Sequence, residues 1–145
     1  MGADPPKDEA EAITREAWLL LSDLVLDNTR RREVADALGI SFGSTRALRR
    51  IARRPMTMGE LAAALGIDPP NATVVVDDLE RQGLVRRRPH PSDGRTKLVE
   101  TTPRGRELAA RADQILAEPP AALTGLGDGD LQTLLQILKS IRANA

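Results

Sequence analysis

The sequence predicts a mainly α-helical fold with a small β-hairpin, in which a winged helix-turn-helix lies between terminal helices. Apolar residues recur at spacings of three and four over most of the chain, which is the period of amphipathic helices. Residues 84–101 depart from it, because two short β-prone runs flank a proline-rich turn, as in a hairpin. The order of helix, turn, helix and basic hairpin over 56–103 is typical of a winged helix-turn-helix, which places one helix in a DNA groove.

Composition limits the class of protein. A chain of 145 residues, 41% of them hydrophobic, suggests one domain with a genuine core. Cysteine is absent, which excludes disulfides and thiol redox sensing, and one histidine cannot form a metal site alone. Trp18 and Phe42 are the only aromatic residues, which argues against the base stacking used by single-strand binders. With no apolar span and no signal peptide, we expect a cytoplasmic protein without membrane contact.

Charge is unevenly distributed although the net charge is zero. Residues 1–29 contain seven acidic and two basic side chains, a net charge of −5. Residues 83–106 contain seven basic and two acidic side chains, a net charge of +5. Because the local field steers an anionic partner more than the total charge does, the second region is predicted to face double-stranded DNA.

The first helix is predicted to run from about Lys7 to Asn28, after a frayed N-terminus that ends at Pro6. Its apolar stripe is wider than one packing partner requires. A helix buried between others in the same core would explain this, but we favour a helix packed against a second subunit. A short helix from Arg30 to Leu38 and another from Phe42 to Arg53, capped by Ser41, are predicted next.

The helix-turn-helix follows. Thr57 and Glu60 have the spacing of a capping box, so a helix begins there and ends near Gly66. Asp68 caps the second helix, Pro69 suits its first position, and Gly83 ends it. Its predicted inner face contains Ala72, Val75, Val76 and Leu79, and its outer face near the N-terminus contains Pro70, Asn71, Thr73 and Val74.

The outer face carries groups that read DNA. Asn71 can pair with adenine, Thr73 can bind a base or a phosphate, and Val74 or Ala72 can contact a thymine methyl group. Backbone amides near Pro70 are expected to bind a phosphate oxygen of the DNA. Thr57, at the start of the first helix of the motif, is also assigned to the DNA surface. The alternative is an ordinary core helix with a polar outer face.

The hairpin is predicted to form from strands at Leu84–Arg88 and Arg95–Thr101. Arg95 at its tip could insert into a narrow minor groove, with Asp93 holding its guanidinium through a bidentate pair. Alternatively, Asp93 is only a turn residue and Arg95 a solvated charge. The density of like charge in the hairpin requires an anionic counterpart, which adds further DNA contacts at Arg86, Arg88 and Lys97.

Two helices complete the chain, from Thr102-Pro103 to about Glu118 and from about Asp130 to Arg142. The terminal helices are more apolar than a monomer needs, which favours a symmetric homodimer. We therefore expect one intertwined domain, with a dimerisation helix and connector in residues 1–40, the winged helix-turn-helix in 41–102 and dimerisation helices in 103–145.

The run from Leu61 to Leu108 resembles the MarR family of bacterial transcriptional regulators. The most specific part is Asp93-Gly94-Arg95, followed by Thr102-Pro103-Arg104-Gly105. The resemblance implies a homodimer that binds a palindromic operator, as a repressor released by a small phenolic or lipophilic effector. It also implies an effector site where the dimerisation helices meet the winged lobe, for which the candidates are Trp18, Leu21, Phe42 and Arg46. An arginine beside an aromatic ring suits an aromatic carboxylate, although Trp18 and Phe42 could be ordinary core residues.

The chain departs from the family pattern at Val74 and Asp78, where basic residues are common, and at Thr101, which replaces a leucine. Because Asp77, Asp78 and Glu80 make the second helix acidic, we expect modest affinity that comes mainly from the hairpin, or a dependence on the effector. A winged helix used for protein–protein contact is the alternative function. Enzyme activity is not expected, since no catalytic motif or titratable cluster is present, and neither is a cofactor or metal.

Overall fold

The computed structural model describes residues 7–26 and 30–145. The predicted fold class is confirmed: the chain is mainly helical, with a small antiparallel sheet in a winged helix-turn-helix. The predicted frayed N-terminus and the end of the first helix at Asn28 lie outside the described residues. The elements are α1 (Lys7–Leu26), α2 (Arg30–Leu38), α3 (Phe42–Arg53), β1 (Met56–Thr57), α4 (Met58–Leu65), α5 (Pro69–Arg81), β2 (Val85–Pro89), β3 (Lys97–Thr101), α6 (Pro103–Ala117), α7 (Ala121–Thr124) and α8 (Asp128–Ala143).

The sheet has three strands in the order β1-β3-β2. The predicted hairpin corresponds to β2 and β3, and the prediction lacks β1. Met56 pairs with Val99 and Thr57 with Leu98. Two residues are too few to show the alternation by which a strand is recognised in a sequence. The return strand begins at Lys97 rather than Arg95, because the residues before it form the turn.

Side-chain caps define the helices that present the candidate site. Thr57 Oγ1 accepts a hydrogen bond from the Glu60 amide at 3.1 Å, as predicted, although the Glu60 carboxylate pairs with Arg54 at 2.7 Å. Asp68 Oδ1 accepts from the Asn71 amide at 2.9 Å. At the other end of α5, Gly83 adopts a φ of 72°, a left-handed conformation that costs glycine little and reverses the chain into β2.

The hydrophobic core lies between the sheet on one side and the five helices α2, α3, α4, α5 and α6 on the other. α3 runs through its centre and contacts α2, α4, α5, α6 and β3. Because the buried face of α5 packs into this core, the position of its outer face is set by apolar packing. The largest fully buried side chains include Leu48, Ile51, Leu61, Leu79, Leu84, Val34, Val76, Val85 and Val99.

The start of α6 packs directly on the connection between α5 and β2. Thr102 Oγ1 donates to the Gly83 carbonyl at 2.6 Å and accepts from the Gly105 amide at 3.1 Å. The Thr102 amide donates to the Leu84 carbonyl at 3.0 Å. A Cβ atom on Gly105 would lie 1.9 Å from that carbonyl oxygen, so only glycine fits. The Thr-Pro-x-Gly run thus joins α6 to the winged region.

Helices α1 and α8 contain no buried residue in the single chain. Trp18 is 66% exposed in the single chain. The alternative that Trp18 is an ordinary core residue is therefore wrong for one protomer. Apolar side chains this exposed are unusual on a lone soluble domain. The most exposed on the two helices are Ile13, Trp18, Leu19, Leu20, Val25, Leu26, Leu135, Ile137 and Ile141.

Candidate nucleic-acid interface

The N-terminal half of α5 presents a continuous outer face formed by Pro70, Asn71, Thr73 and Val74, all exposed. Val74 is 64% exposed. Ala72, in contrast, is fully buried, so its predicted contact with a thymine methyl group is wrong. Ala72 shares the inner face of the helix with Val76 and Leu79, at spacings of four and seven residues.

Hydrogen bonds within the chain limit what the outer face can offer. The Thr73 hydroxyl donates to the Pro69 carbonyl at 3.1 Å, which leaves it only lone pairs for a partner. The predicted phosphate contact near Pro70 is not supported. Pro69 and Pro70 have no N–H, and the Asn71 amide already donates to the Asp68 carboxylate, whose charge would repel a phosphate. Thr57 caps α4 and is half-buried.

The turn of the hairpin is organised by Asp93. Its carboxylate accepts from the Arg95 backbone amide at 3.0 Å and from the Thr96 hydroxyl at 2.9 Å. These two hydrogen bonds lower the pKa of Asp93. The predicted bidentate pair between Asp93 and the Arg95 guanidinium is therefore wrong, because the turn uses both carboxylate oxygens.

Arg95 and Lys97 are the exposed cations of the hairpin that keep an uncompensated charge. Within residues 7–26 and 30–145, no carboxylate lies at ion-pair distance from either side chain. Arg95 is in the turn and Lys97 is the first residue of β3. Their positive charge is thus available to an anionic partner.

Arg86 and Arg88 share one internal partner, Glu100 on β3. Their Nε atoms lie 2.7 Å and 2.8 Å from the two Glu100 carboxylate oxygens. The hydrogen bonds from Arg86 and then Arg88 lower the pKa of Glu100, so this carboxylate is ionised throughout the neutral range. Glu100 is therefore an internal anionic partner for part of the dense positive charge of the hairpin. Arg86, Arg88 and Glu100 together retain one net positive charge.

Arg87 joins the hairpin to α5. Its guanidinium lies 2.6 Å from Asp77 Oδ1 and 2.8 Å from Glu80 Oε1. Asp78 is occupied by Gln82 at 3.0 Å and by Arg81 at 3.4 Å. The three acidic residues of α5, expected to weaken DNA binding, are thus only partly compensated within the chain, because two arginines face three carboxylates. In the sequence, the only sign of this role of Arg87 is the pair of carboxylates three residues apart, on one face of the helix.

Replacing Arg87 by glutamine should lower the free energy of unfolding by about 1 kcal/mol, because two charge-assisted hydrogen bonds are lost at a partly exposed site. Arg81→Gln is the matched control: its side chain is 75% exposed and its ion pair is long, so no measurable change is expected. Urea unfolding followed by circular dichroism compares the two. Equal stabilities would contradict the structural role of Arg87.

The four candidate effector residues lie on two helices. Trp18 and Leu21 line an apolar groove on α1 together with Ser22, Val25 and Leu26, and neither Phe42 nor Arg46 lines that groove. Phe42, half-buried on α3, stacks against the Arg31 guanidinium at 5.1 Å from its ring centroid. Arg46, one turn further along α3, is exposed. One chain alone does not enclose a ligand in this groove.

Other kinds of site find little support in the part of the chain that the structure describes. None of its His, Cys, Asp and Glu side chains form a group of three or more that could hold a metal ion. None of its helices is both long and apolar enough to cross a membrane. His90 Nδ1 accepts a hydrogen bond from the Ser92 amide at 3.0 Å and helps to shape the turn.

Comparisons with a family model, with a related sequence and with solved structures agree with one another. A model described as the MarR family matches residues 38–96. A putative transcriptional regulatory protein for the hcr operon of Thauera aromatica is 30% identical over 112 residues, which cover 76% of this chain and 68% of that protein. RV1404 from Mycobacterium tuberculosis has a similar structure, with a TM-score of 0.76 and 23% identity, covering 98% of this chain and 95% of its own. Wild-type MarR from E. coli, in its apo form, gives a TM-score of 0.69 and 22% identity, covering 97% and 98%.

Proposed function

The chain belongs to the MarR family of transcriptional regulators, and we propose that it binds a palindromic operator as a homodimer and represses transcription until a small effector releases it. The observation that carries the proposal is the position of two uncompensated cations, Arg95 and Lys97, on the hairpin that Arg87 joins to α5. The outer face of α5 enters the major groove, and the hairpin reaches the adjacent minor groove.

The homodimer is supported by the uncovered apolar faces of α1 and α8. Burying these faces between two protomers removes apolar area from water at about 25 cal/mol per Å². A two-fold dimer presents two copies of α5, which suits two half-sites one helical turn apart, about 34 Å, on a palindromic operator.

We propose that the effector binds in the homodimer, where the groove of α1 lined by Trp18 and Leu21 closes against a surface that includes Phe42 and Arg46 of α3. The apolar groove of α1 suits an aromatic or lipophilic body, and the exposed Arg46 guanidinium suits a carboxylate. An effector that binds better to a dimer with a different separation of the two α5 helices would weaken operator binding.

The experiment that tests the function is selection of bound duplexes from a random library, repeated in the presence of aromatic carboxylates. Enrichment of a palindrome, reduced by one of these ligands, is the expected result. If no duplex is enriched, or if binding does not depend on salt, the winged helix serves protein–protein contact instead.

Arg95→Ala should weaken operator binding by about 1–3 kcal/mol and reduce the dependence of affinity on salt by about one phosphate equivalent. Arg95→Lys is the matched control: it keeps the charge, and therefore the salt dependence, but lacks the planar guanidinium. Fluorescence anisotropy at several salt concentrations measures both quantities. Wild-type affinity in Arg95→Ala at the same salt would show that the hairpin does not enter the DNA.

A further inference from the structure

We propose that Glu100 is a positioning residue for DNA binding, which holds the Arg86 and Arg88 guanidinium groups side by side as a clamp for one backbone phosphate. The proposal rests on the proposed function, because it requires the hairpin to lie in the minor groove. It adds a carboxylate to the residues on which DNA affinity depends. Glu100 raises that affinity through the two arginines, although a lone carboxylate repels a phosphate.

The three side chains meet on one face of the hairpin. Arg86 is directly opposite Glu100 in the register of β2 and β3, and Arg88, two residues later on the same face, lies on the diagonal. Arg87, between the two arginines, points to the opposite face and contacts α5. The Arg86–Glu100–Arg88 cluster therefore lies on the face turned away from α5. Because a ribbon in the minor groove has a sugar-phosphate backbone on each side, this face lies next to phosphates.

Glu100 occupies only one nitrogen atom of each guanidinium group. Arg86 Nε lies 2.7 Å from Oε1, and Arg88 Nε lies 2.8 Å from Oε2. In the part of the chain that the structure describes, the terminal Nη atoms of these two arginines have no hydrogen-bond partner. The two Nη atoms form the end of the guanidinium fork, which can bind two oxygen atoms of a phosphate. The contact with Glu100 thus fixes each arginine and leaves its phosphate-binding edge available.

The carboxylate of the cluster lies beneath its two cations. The Glu100 side chain is 19% exposed, whereas the Arg86 and Arg88 side chains are 68% and 38% exposed. A phosphate that approaches this face therefore contacts the guanidinium groups first, and its single charge neutralises the net charge of the cluster.

Two effects of Glu100 on DNA affinity oppose each other. Immobilising a long side chain at an interface costs about twofold to tenfold in affinity, and Glu100 immobilises two arginines before DNA binds. Its own repulsion of the phosphate is smaller, because the two cations are nearer to the phosphate and salt screens the remainder. The ordering of the arginines therefore exceeds the repulsion, and Glu100 favours binding.

The test uses Glu100→Gln, which removes the charge and keeps the size of the side chain. Its affinity for the duplex enriched from a random library should fall about fivefold at constant salt, as measured by fluorescence anisotropy. Glu107→Gln is the matched control, because it neutralises an exposed carboxylate that has no ion pair within residues 7–26 and 30–145. It should bind at least as tightly as wild type. Wild-type or higher affinity in Glu100→Gln would overturn the proposal, since a carboxylate that acts only by repulsion gives that result.

Replacing both arginines by glutamine separates positioning from repulsion. In the Arg86→Gln/Arg88→Gln background, Glu100→Gln should raise the affinity about twofold, because only the repulsion by the carboxylate is left to remove. The effect of Glu100→Gln should thus have opposite signs in the two backgrounds. An equal fall in both would show that Glu100 acts through the fold of the hairpin, which contradicts a positioning role.

NMR of the arginine Nε–H groups tests the contact without DNA. In the free wild-type protein, these protons of Arg86 and Arg88 should exchange with water at least about tenfold more slowly than that of Arg95. Glu100→Gln should abolish the difference, and urea unfolding verifies that this variant is folded. Unchanged exchange in Glu100→Gln would overturn the role of Glu100 and leave the DNA-binding function intact. Failure to enrich any duplex would instead overturn the proposed function itself.

Discussion

Replacing Gly105 by alanine should lower the free energy of unfolding by about 3 kcal/mol or more, a large part of the total for a domain of this size. The new Cβ would lie 1.9 Å from the Leu84 carbonyl oxygen and 2.9 Å from its carbonyl carbon. These are backbone atoms, so no rotamer change relieves the overlap, and α6 has to move away from the α5–β2 connection. Urea unfolding followed by circular dichroism gives the free energy.

The matched control is Gly59→Ala, which also changes a glycine in the first turn of a helix. No atom lies within 4 Å of the position that its Cβ would occupy. Stability should be unchanged or raised by up to about 1 kcal/mol, because alanine has less conformational freedom in the unfolded chain. If both variants are equally stable, α6 does not pack against Leu84 as described.

If the proposed homodimer forms through α8, Leu138→Glu should convert it to a monomer and lower operator affinity at least about a hundredfold, since the two half-sites would no longer be bound together. Leu138 lies on the apolar stripe of α8 and is 43% exposed in the single chain. A buried carboxylate facing an apolar partner surface is strongly unfavourable. Sedimentation equilibrium should give about the 15.7 kDa of one chain, against twice that mass for wild type.

Gln136→Glu provides the control, because it adds the same charge to the same helix at an exposed polar position. It should remain dimeric and bind the operator like wild type. Circular dichroism checks that Leu138→Glu keeps its winged region, to whose core α8 contributes no buried residue. A dimeric Leu138→Glu would show that the α8 stripe is not the interface.

Local patterns explain which parts of the fold could be predicted from the sequence. The caps at Ser41, Thr57 and Asp68 are found where they were expected, because a cap depends on residues three positions apart. Strand β1 was missed because its only evidence is its pairing with β3, more than forty residues later. Pairing with a strand so far away in the sequence produces no recognisable pattern in a run of two residues.

In the candidate site, the sequence predicts which residues take part better than it predicts the partner that each of them binds. Asp93, Arg95 and the outer face of α5 were identified from the sequence, but the donor that reaches the Asp93 carboxylate depends on turn geometry. The role of Arg87 depends on the packing of β2 against α5, which brings together residues seven and ten positions apart. The proposed effector role of Trp18 and Leu21 depends on what covers α1, which one chain does not determine.

The strand order of the sheet has a consequence for solubility. Strand β2 lies at an edge, and an unpaired edge can add a strand from another chain and start aggregation. Three consecutive arginines and Pro89 make this edge a poor template for such pairing. The Arg87 amide donates to Glu80 Oε2 at 3.3 Å, so one backbone donor of the strand is already occupied. The residues that join the hairpin to α5 thus also protect the folded chain from edge-to-edge association.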